Sequence, residues 1–221
     1  YSNTYKRLII MIINAQYFQT KELYIPNSVA QPSIGSVLPS ATAQLNEEIE
    51  SIEQSLLLDI LGYEQLQELM AQFDEDGEWV EDPIQKWVDL VDGVDDWKGL
   101  RYSIGTKKIS LIAYYVFFYY LGTDFQTYST TGMQIPRAEN SLYNNPSIKQ
   151  TTVWNKFIKM YIGDKRYGLP LLENNWNGYF LNFSGKVIGN EVSLYDYLMK
   201  NRDLYDTSYF TVKTHINYMG L

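Results

Sequence analysis

Residues 40–62 read SATAQLNEEIESIEQSLLLDILG, and their pattern sets the fold class. Leu45, Ile49, Ile52, Leu56 and Ile60 recur at intervals of four, three, four and four, which lines one apolar stripe along a helix. Ser40 is placed to cap its N-terminus. Glu47, Glu48, Glu50 and Glu53 load the early turns, where the helix dipole favours negative charge. Gly62 stands where a helix ends on glycine. The expectation is a mainly α protein.

Working downstream, Leu66, Leu69, Met70 and Phe73 predict a second short helix that breaks at Asp74-Glu75-Asp76-Gly77. In Asp82-Pro83-Ile84-Gln85, an N-cap, a proline at the first helical position and a reciprocal Gln predict a helix reaching about Val91. Residues 103–121 form the most apolar stretch and predict the central helix of a bundle, terminated by Gly122. A buried strand pair is the competing reading, because aromatics also favour strands. Thr123 to Asn145 is polar and reads as irregular. Asn145-Pro146 opens another helix, with Ile148, Trp154, Phe157, Ile158 and Tyr161 on its inner side and Gly163 at its end.

The flanks read differently. Leu8 to Ile13 has the pattern of a strand. Tyr179 to Phe183, Ser184-Gly185 and Lys186 to Ile188 predict a hairpin, Ser193 to Asn201 a short helix, and Phe210, Val212 and Ile216 an alternating strand. The expected division is an N-terminal, partly strand arm over 1–34, a helical body over 35–163, and a hairpin- and strand-rich interaction arm over 164–221. No repeat of 20–50 residues is visible.

At 221 residues the chain is long enough to bury roughly 70% of its unfolded surface without a disulfide or metal. It carries 20 Tyr, 9 Phe and 5 Trp. Tyrosine suits surfaces that are wet in a free subunit and covered in an assembly, and equally suits the edge of a core. The net charge of −8 is unevenly spread. Residues 1–46 sum to +2, residues 47–98 to −15 and residues 99–221 to +5. A molecule acidic at one end and basic at another can attract the opposite face of a copy, head to tail; the plain alternative is a solvated acidic face. The acidic stretch is a poor partner for duplex phosphate.

The chain has no Cys, and His215 is its only His, so thiolate sites and a two-His metal site within one chain are excluded. The apolar run Leu111 to Leu121 is about half the ~20 residues a membrane-spanning helix needs. The start of the chain reads as strand rather than signal peptide, and a cytosolic product without an address signal is expected. His215 reads as a strand or interface residue, not a general base. Gly105-Thr106-Lys107 lacks the upstream glycine and the hydroxyl of a phosphate loop. A calcium loop with Gly77 at its sixth position would need acids at Gln72 and Pro83, so Asp74 to Gly77 reads as a solvated turn. Counting alone leaves a glycosidase-type acid pair open between Glu47 and Asp96, although no acid there is flanked by aromatics as a tuned acid would be. Asn182-Phe183-Ser184 matches the glycosylation pattern, a weak signal in a chain read as non-secreted. Trp176, Tyr179, Phe180 and Phe183 could stack on sugars or bases, and are preferred here as a partner-binding arm or small satellite core. No catalytic, cofactor-binding or metal-binding residue is assigned.

One resemblance joins these parts. Pro39 to Leu45 leads a helix with Glu50 and Leu56 that ends in Asp59-Ile60-Leu61-Gly62; the Leu66/Leu69 helix and an acidic spacer follow. Next come Trp97-Lys98-Gly99-Leu100, Ala113 to Phe117, Thr131-Gly132-Met133 with Asn140-Ser141, and a helix from Pro146. Over residues 35–163 this order resembles the head–tail connector (adaptor, or neck ring) proteins of tailed bacteriophages, closest to those of Bacteroidota and crAss-like phages. The resemblance implies a non-catalytic subunit of a dodecameric homo-oligomeric ring in the virion neck, made in the host cytoplasm and docked on the portal and other neck or tail proteins. Packaged DNA would pass through its channel without sequence-specific binding, and no membrane is involved. The acidic 47–98 region would either meet a basic neighbour, with Glu47, Glu48, Glu50 and Glu53 as the candidate interface, or line the channel, where like-charge repulsion would let DNA slide. Trp176, Tyr179, Phe180 and Phe183 are the candidate interface on the aromatic side. The alternative is a carbohydrate- or peptide-binding module using that aromatic segment.

Overall fold

The computed structural model describes residues 11–26, 28–29, 41–74, 77–124, 127–129, 132–134, 146–163, 180–181, 187–188 and 192–214. The chain is mainly helical, as expected. A 3-10 turn at Ala15–Gln19 is followed by α1 (Ala41–Met70) and α2 (Gln85–Asp92). The hairpin β1 (Arg101–Ile104) and β2 (Lys107–Ser110) leads into α3 (Leu111–Asp124). Two short antiparallel pairs, β3 (Thr127–Ser129) with β4 (Gly132–Gln134) and β5 (Phe180–Leu181) with β6 (Val187–Ile188), lie either side of α4 (Pro146–Ile162). The chain then forms α5 (Leu194–Lys200).

Gly62 breaks α1 as the sequence predicts, with φ 70° and ψ 175° in a region that only glycine occupies at low cost. A second helical stretch follows at once and runs to Met70, as the Leu66/Leu69/Met70 pattern predicts; the two together are labelled α1. The expected helix over 103–121 is corrected. Its first part is a hairpin with Gly105 and Thr106 at the turn and Tyr102 opposite Ile109. The helix starts only at Leu111, where the buried Ser110 hydroxyl donates to Leu100 O (2.7 Å) and accepts from the Ile112 N–H (3.1 Å). That capping bond converts strand into helix within one residue. Gly122 is likewise not a terminator, since α3 runs on to Asp124.

The cap expected at Asp82 is replaced. Ile84 is the N-cap of α2 and has no side-chain cap; its own N–H is held by Gln72 Oε1 at 2.8 Å. Between α2 and the hairpin the chain turns tightly: Gly99 has φ +89°, and a Cβ there would lie 2.5 Å from Val91 O. That close approach explains the glycine in Trp97-Lys98-Gly99-Leu100. The start of α5 matches its sequence reading: Ser193 caps it, accepting from the Asp196 N–H and donating to the Asp196 carboxylate.

α3 is the central helix. Leu111 through Phe117 are all buried, packed chiefly against α4 and also against α1. On α4, Val153, Phe157, Ile158 and Tyr161 face inward, but Ile148 is exposed, contrary to expectation. Many tyrosines resolve as core-edge residues. Tyr161, Tyr197 and Tyr205 are buried, with hydroxyls bonded to Thr211 O, to each other and to Lys86 O.

Where they are described, the segments read as arms contribute to the core of the body. Ile12, Ile13, Phe18, Leu23 and Ile25 share one apolar core with α1, α3 and α4, and no strand occurs over 11–26. Leu194, Leu198 and Tyr205 belong to the same core. Residues 210–214, expected as a strand, are extended without a strand partner among the described residues, and lie against α1 and α4.

Candidate interaction surfaces

Along α1 the helical period separates two faces. Glu47, Glu48, Ser51, Ser55 and Leu58 point outward, while Leu45, Ile49, Leu56 and Ile60 are buried. Glu50 is half-buried, and its carboxylate accepts from Gln54 Nε2 at 3.2 Å. Glu53 is not on the outer face. It is fully buried, which corrects its assignment to an exposed acidic interface.

The Glu53 carboxyl holds the N-terminal segment. Its two oxygens accept from the backbone N–H groups of Ile12 (2.6 Å) and Ile13 (3.2 Å). Burial pushes its pKa up to about 8, against the pull of these two N–H groups and the Arg101 guanidinium; Glu50 adds a smaller upward push. Arg101 closes the arrangement, donating to Ile12 O (3.2 Å) and to Asp92 (2.8 Å). Glu53 is thus perturbed by burial and backbone N–H groups, without the aromatic flank by which a tuned acid was expected to show in the sequence. The signal lay in the sequence: Glu53 is four residues after Ile49 and three before Leu56, in phase with the apolar stripe.

Other groups fasten the same segment. Asn46 Oδ1 accepts from the Ala15 N–H (3.3 Å), Tyr114 donates to Glu22 (3.1 Å), and Lys156 pairs with Glu22.

Exposed charge differs between helices: α1 carries acids and no base, α4 bases and no acid. Acids project from α1 and the segments flanking α2, among them Glu47, Glu48, Glu64, Glu81 and Asp95. Bases project from the hairpin tip (Lys107) and from one face of α4 (Lys149, Lys156, Lys159). Tyr63, Tyr209 and Val212 add exposed apolar surface, at 68%, 55% and 62%.

The remaining expected sites fare variously. Asp74 closes its own turn, its N–H donating to Glu78 O (2.9 Å) and its carboxylate accepting from the Glu78 N–H (3.0 Å). Among the described residues no group of three or more His, Asp or Glu could hold a metal ion. A cavity bordered by Trp97, Tyr102, Leu111 and Met160 measures about 30 Å³, room for a water or two. Trp176, Tyr179, Phe183, Asn182, Ser184 and His215 lie outside the described residues, as does the Ser40 cap; Phe180 is described only as part of β5. No helix among the described residues is long and apolar enough to cross a membrane. Comparison with known protein families, curated proteins and solved structures found no match.

Proposed function

We propose that this chain is a non-catalytic structural subunit of the tailed-bacteriophage neck. It closes with copies of itself into a ring, dodecameric as in the family it resembles, that docks on the portal, prolongs the DNA channel and offers a platform to tail components. The observation that carries this reading is that the exposed charge of α1 is acidic and that of α4 is basic. Opposite charge on different faces of one subunit favours a heterologous contact, the kind that closes a ring when the rotation allows. In this arrangement Glu47 and Glu48 of one copy meet Lys149 and Lys159 of the next. The order of helices over 35–163 supports the same reading.

The test is charge reversal at low ionic strength, where surface charge is least screened. Glu47→Lys with Glu48→Lys is expected to block assembly, and adding Lys149→Glu with Lys159→Glu to restore it. Normal rings from the first variant would refute the contact.

A further inference from the structure

Residues 209–214 have no helix or strand of their own and lie against α1, α4 and α5, whose facing surface we call the groove. The groove reads their main chain. The Thr211 N–H donates to Asp59 O (2.9 Å), the Tyr161 hydroxyl donates to Thr211 O (2.8 Å), and Trp154 Nε1 donates to Thr214 O (2.7 Å). Three of its side chains are also gripped. The Tyr209 ring covers Gly62 so closely that a Cβ there would lie 2.6 Å from it. Phe210 stacks on Tyr161 with centroids 4.8 Å apart and packs on Tyr195. Lys213 pairs with Asp59 (2.9 Å) on the acidic helix.

These contacts come from α1, α4 and α5, so they serve a segment of this chemistry whether it belongs to the same chain or to another copy. The segment is tethered by Asp206 to Ser208, a turn in which the Ser208 N–H donates to Asp206 Oδ1 (2.9 Å). Gln65 holds that turn against the body, its amide bonding both the N–H and the carbonyl of Asp206 (3.1 and 2.8 Å). Opened out, three residues reach about 10 Å. Exchange of an identical element keeps every groove contact, so its cost reduces to the hinge and the association itself.

We propose that the groove formed by Asp59, Gly62, Trp154 and Tyr161 is a peptide-binding site whose occupant on assembly is residues 209–214 of a second copy of this chain. The proposal rests on the reading that the chain forms closed oligomers. Gln65 is the clasp that keeps the segment at home in the free subunit. Exposed Tyr209 and Val212 are then covered where donor and acceptor meet.

The absence of cysteine makes the test clean. Asp59→Cys protein and Thr211→Cys protein are mixed, assembled with portal protein, oxidised and resolved under denaturing conditions, with the assembled mass measured on the same sample. The Thr211 N–H donates to Asp59 O at 2.9 Å, so the two positions adjoin. The double variant, bridged within the free chain, shows that fold and geometry tolerate both changes. With rings present, exchange predicts that about half of the Asp59→Cys chains become joined to a Thr211→Cys chain, and that Gln65→Ala raises the rate of joining. Rings without that bridge would overturn the exchange and leave the subunit reading intact. A sample that stays monomeric without a bridge would overturn both.

Discussion

Glu53 Oε1 lies 2.6 Å from the backbone nitrogen of Ile12, a bond that spans 41 residues and sits at zero solvent exposure. A buried acid that accepts two backbone N–H groups ties the N-terminal segment to the longest helix. The bond has consequences for stability that can be measured.

The first is a pH dependence. The Glu53 pKa is about 8 in the folded protein, against 4.5 when unperturbed. Below about pH 4.5 both folded and unfolded states hold the proton, and its contribution is constant. Between about 4.5 and 8 the unfolded chain ionises while the folded one stays protonated, so stability is lost as pH rises, by on the order of 5 kcal/mol in all. Denaturant unfolding followed from pH 5 to pH 9 is expected to show this decline in the native protein. In Glu53→Gln the decline should flatten. Parallel curves for the two proteins would contradict the assignment.

Removing the acceptor altogether is a separate matter. Glu53→Ala leaves the Ile12 and Ile13 N–H groups buried without their partner, at about 1–3 kcal/mol each. The loss should appear at every pH. Proteolysis should report it locally, as faster cleavage within residues 11–25.

Gly62 and Tyr209 give a third expectation. Gly62→Ala faces both a disfavoured backbone conformation and an overlap with the Tyr209 ring. A loss of about 2 kcal/mol or more is expected. Tyr209→Ala should recover only part of it, because it relieves the overlap and leaves the backbone strain. Full recovery in the double variant, read from denaturation midpoints, would show that the backbone conformation carries no cost.

A fourth concerns the tyrosine pair in the core. The Tyr205 hydroxyl is shared with Tyr197 (3.2 Å) and donates to Lys86 O. Tyr205→Phe deprives the part-buried Lys86 carbonyl of that donor and is expected to cost about 1–2 kcal/mol with the fold unchanged. A neutral result would mean that water replaces the hydroxyl.

How much of this was legible depended on whether the signal was local. The apolar stripe of α1, the break at Gly62, the opening of α4 at Pro146 and the Ser193 cap are set by neighbours within a few residues, and each could be read directly. The hairpin at 101–110 was hidden because its residues run into the apolar stretch of α3, and the switch rests on one hydroxyl, that of Ser110. The cap at Asp82 failed for a tertiary reason: Gln72, twelve residues upstream of Ile84, supplies the acceptor instead. Glu53 sits in a run of acids that hides it by composition, although its phase along the helix marks it as inward. That Ile12, Ile13 and Phe18 enter the core, and that 209–214 lie back across α1, depends on contacts with residues tens to more than a hundred positions away. Periodicity carries no record of such contacts.

The central claim, that the chain works by assembling with other chains, is tested most directly by weighing it. Native mass spectrometry of the purified protein, alone and with portal protein at low ionic strength, is expected to find a closed multiple of the 25.8 kDa subunit whose formation requires the acidic face of α1. A single-subunit mass under both conditions, at every concentration tried, would contradict it.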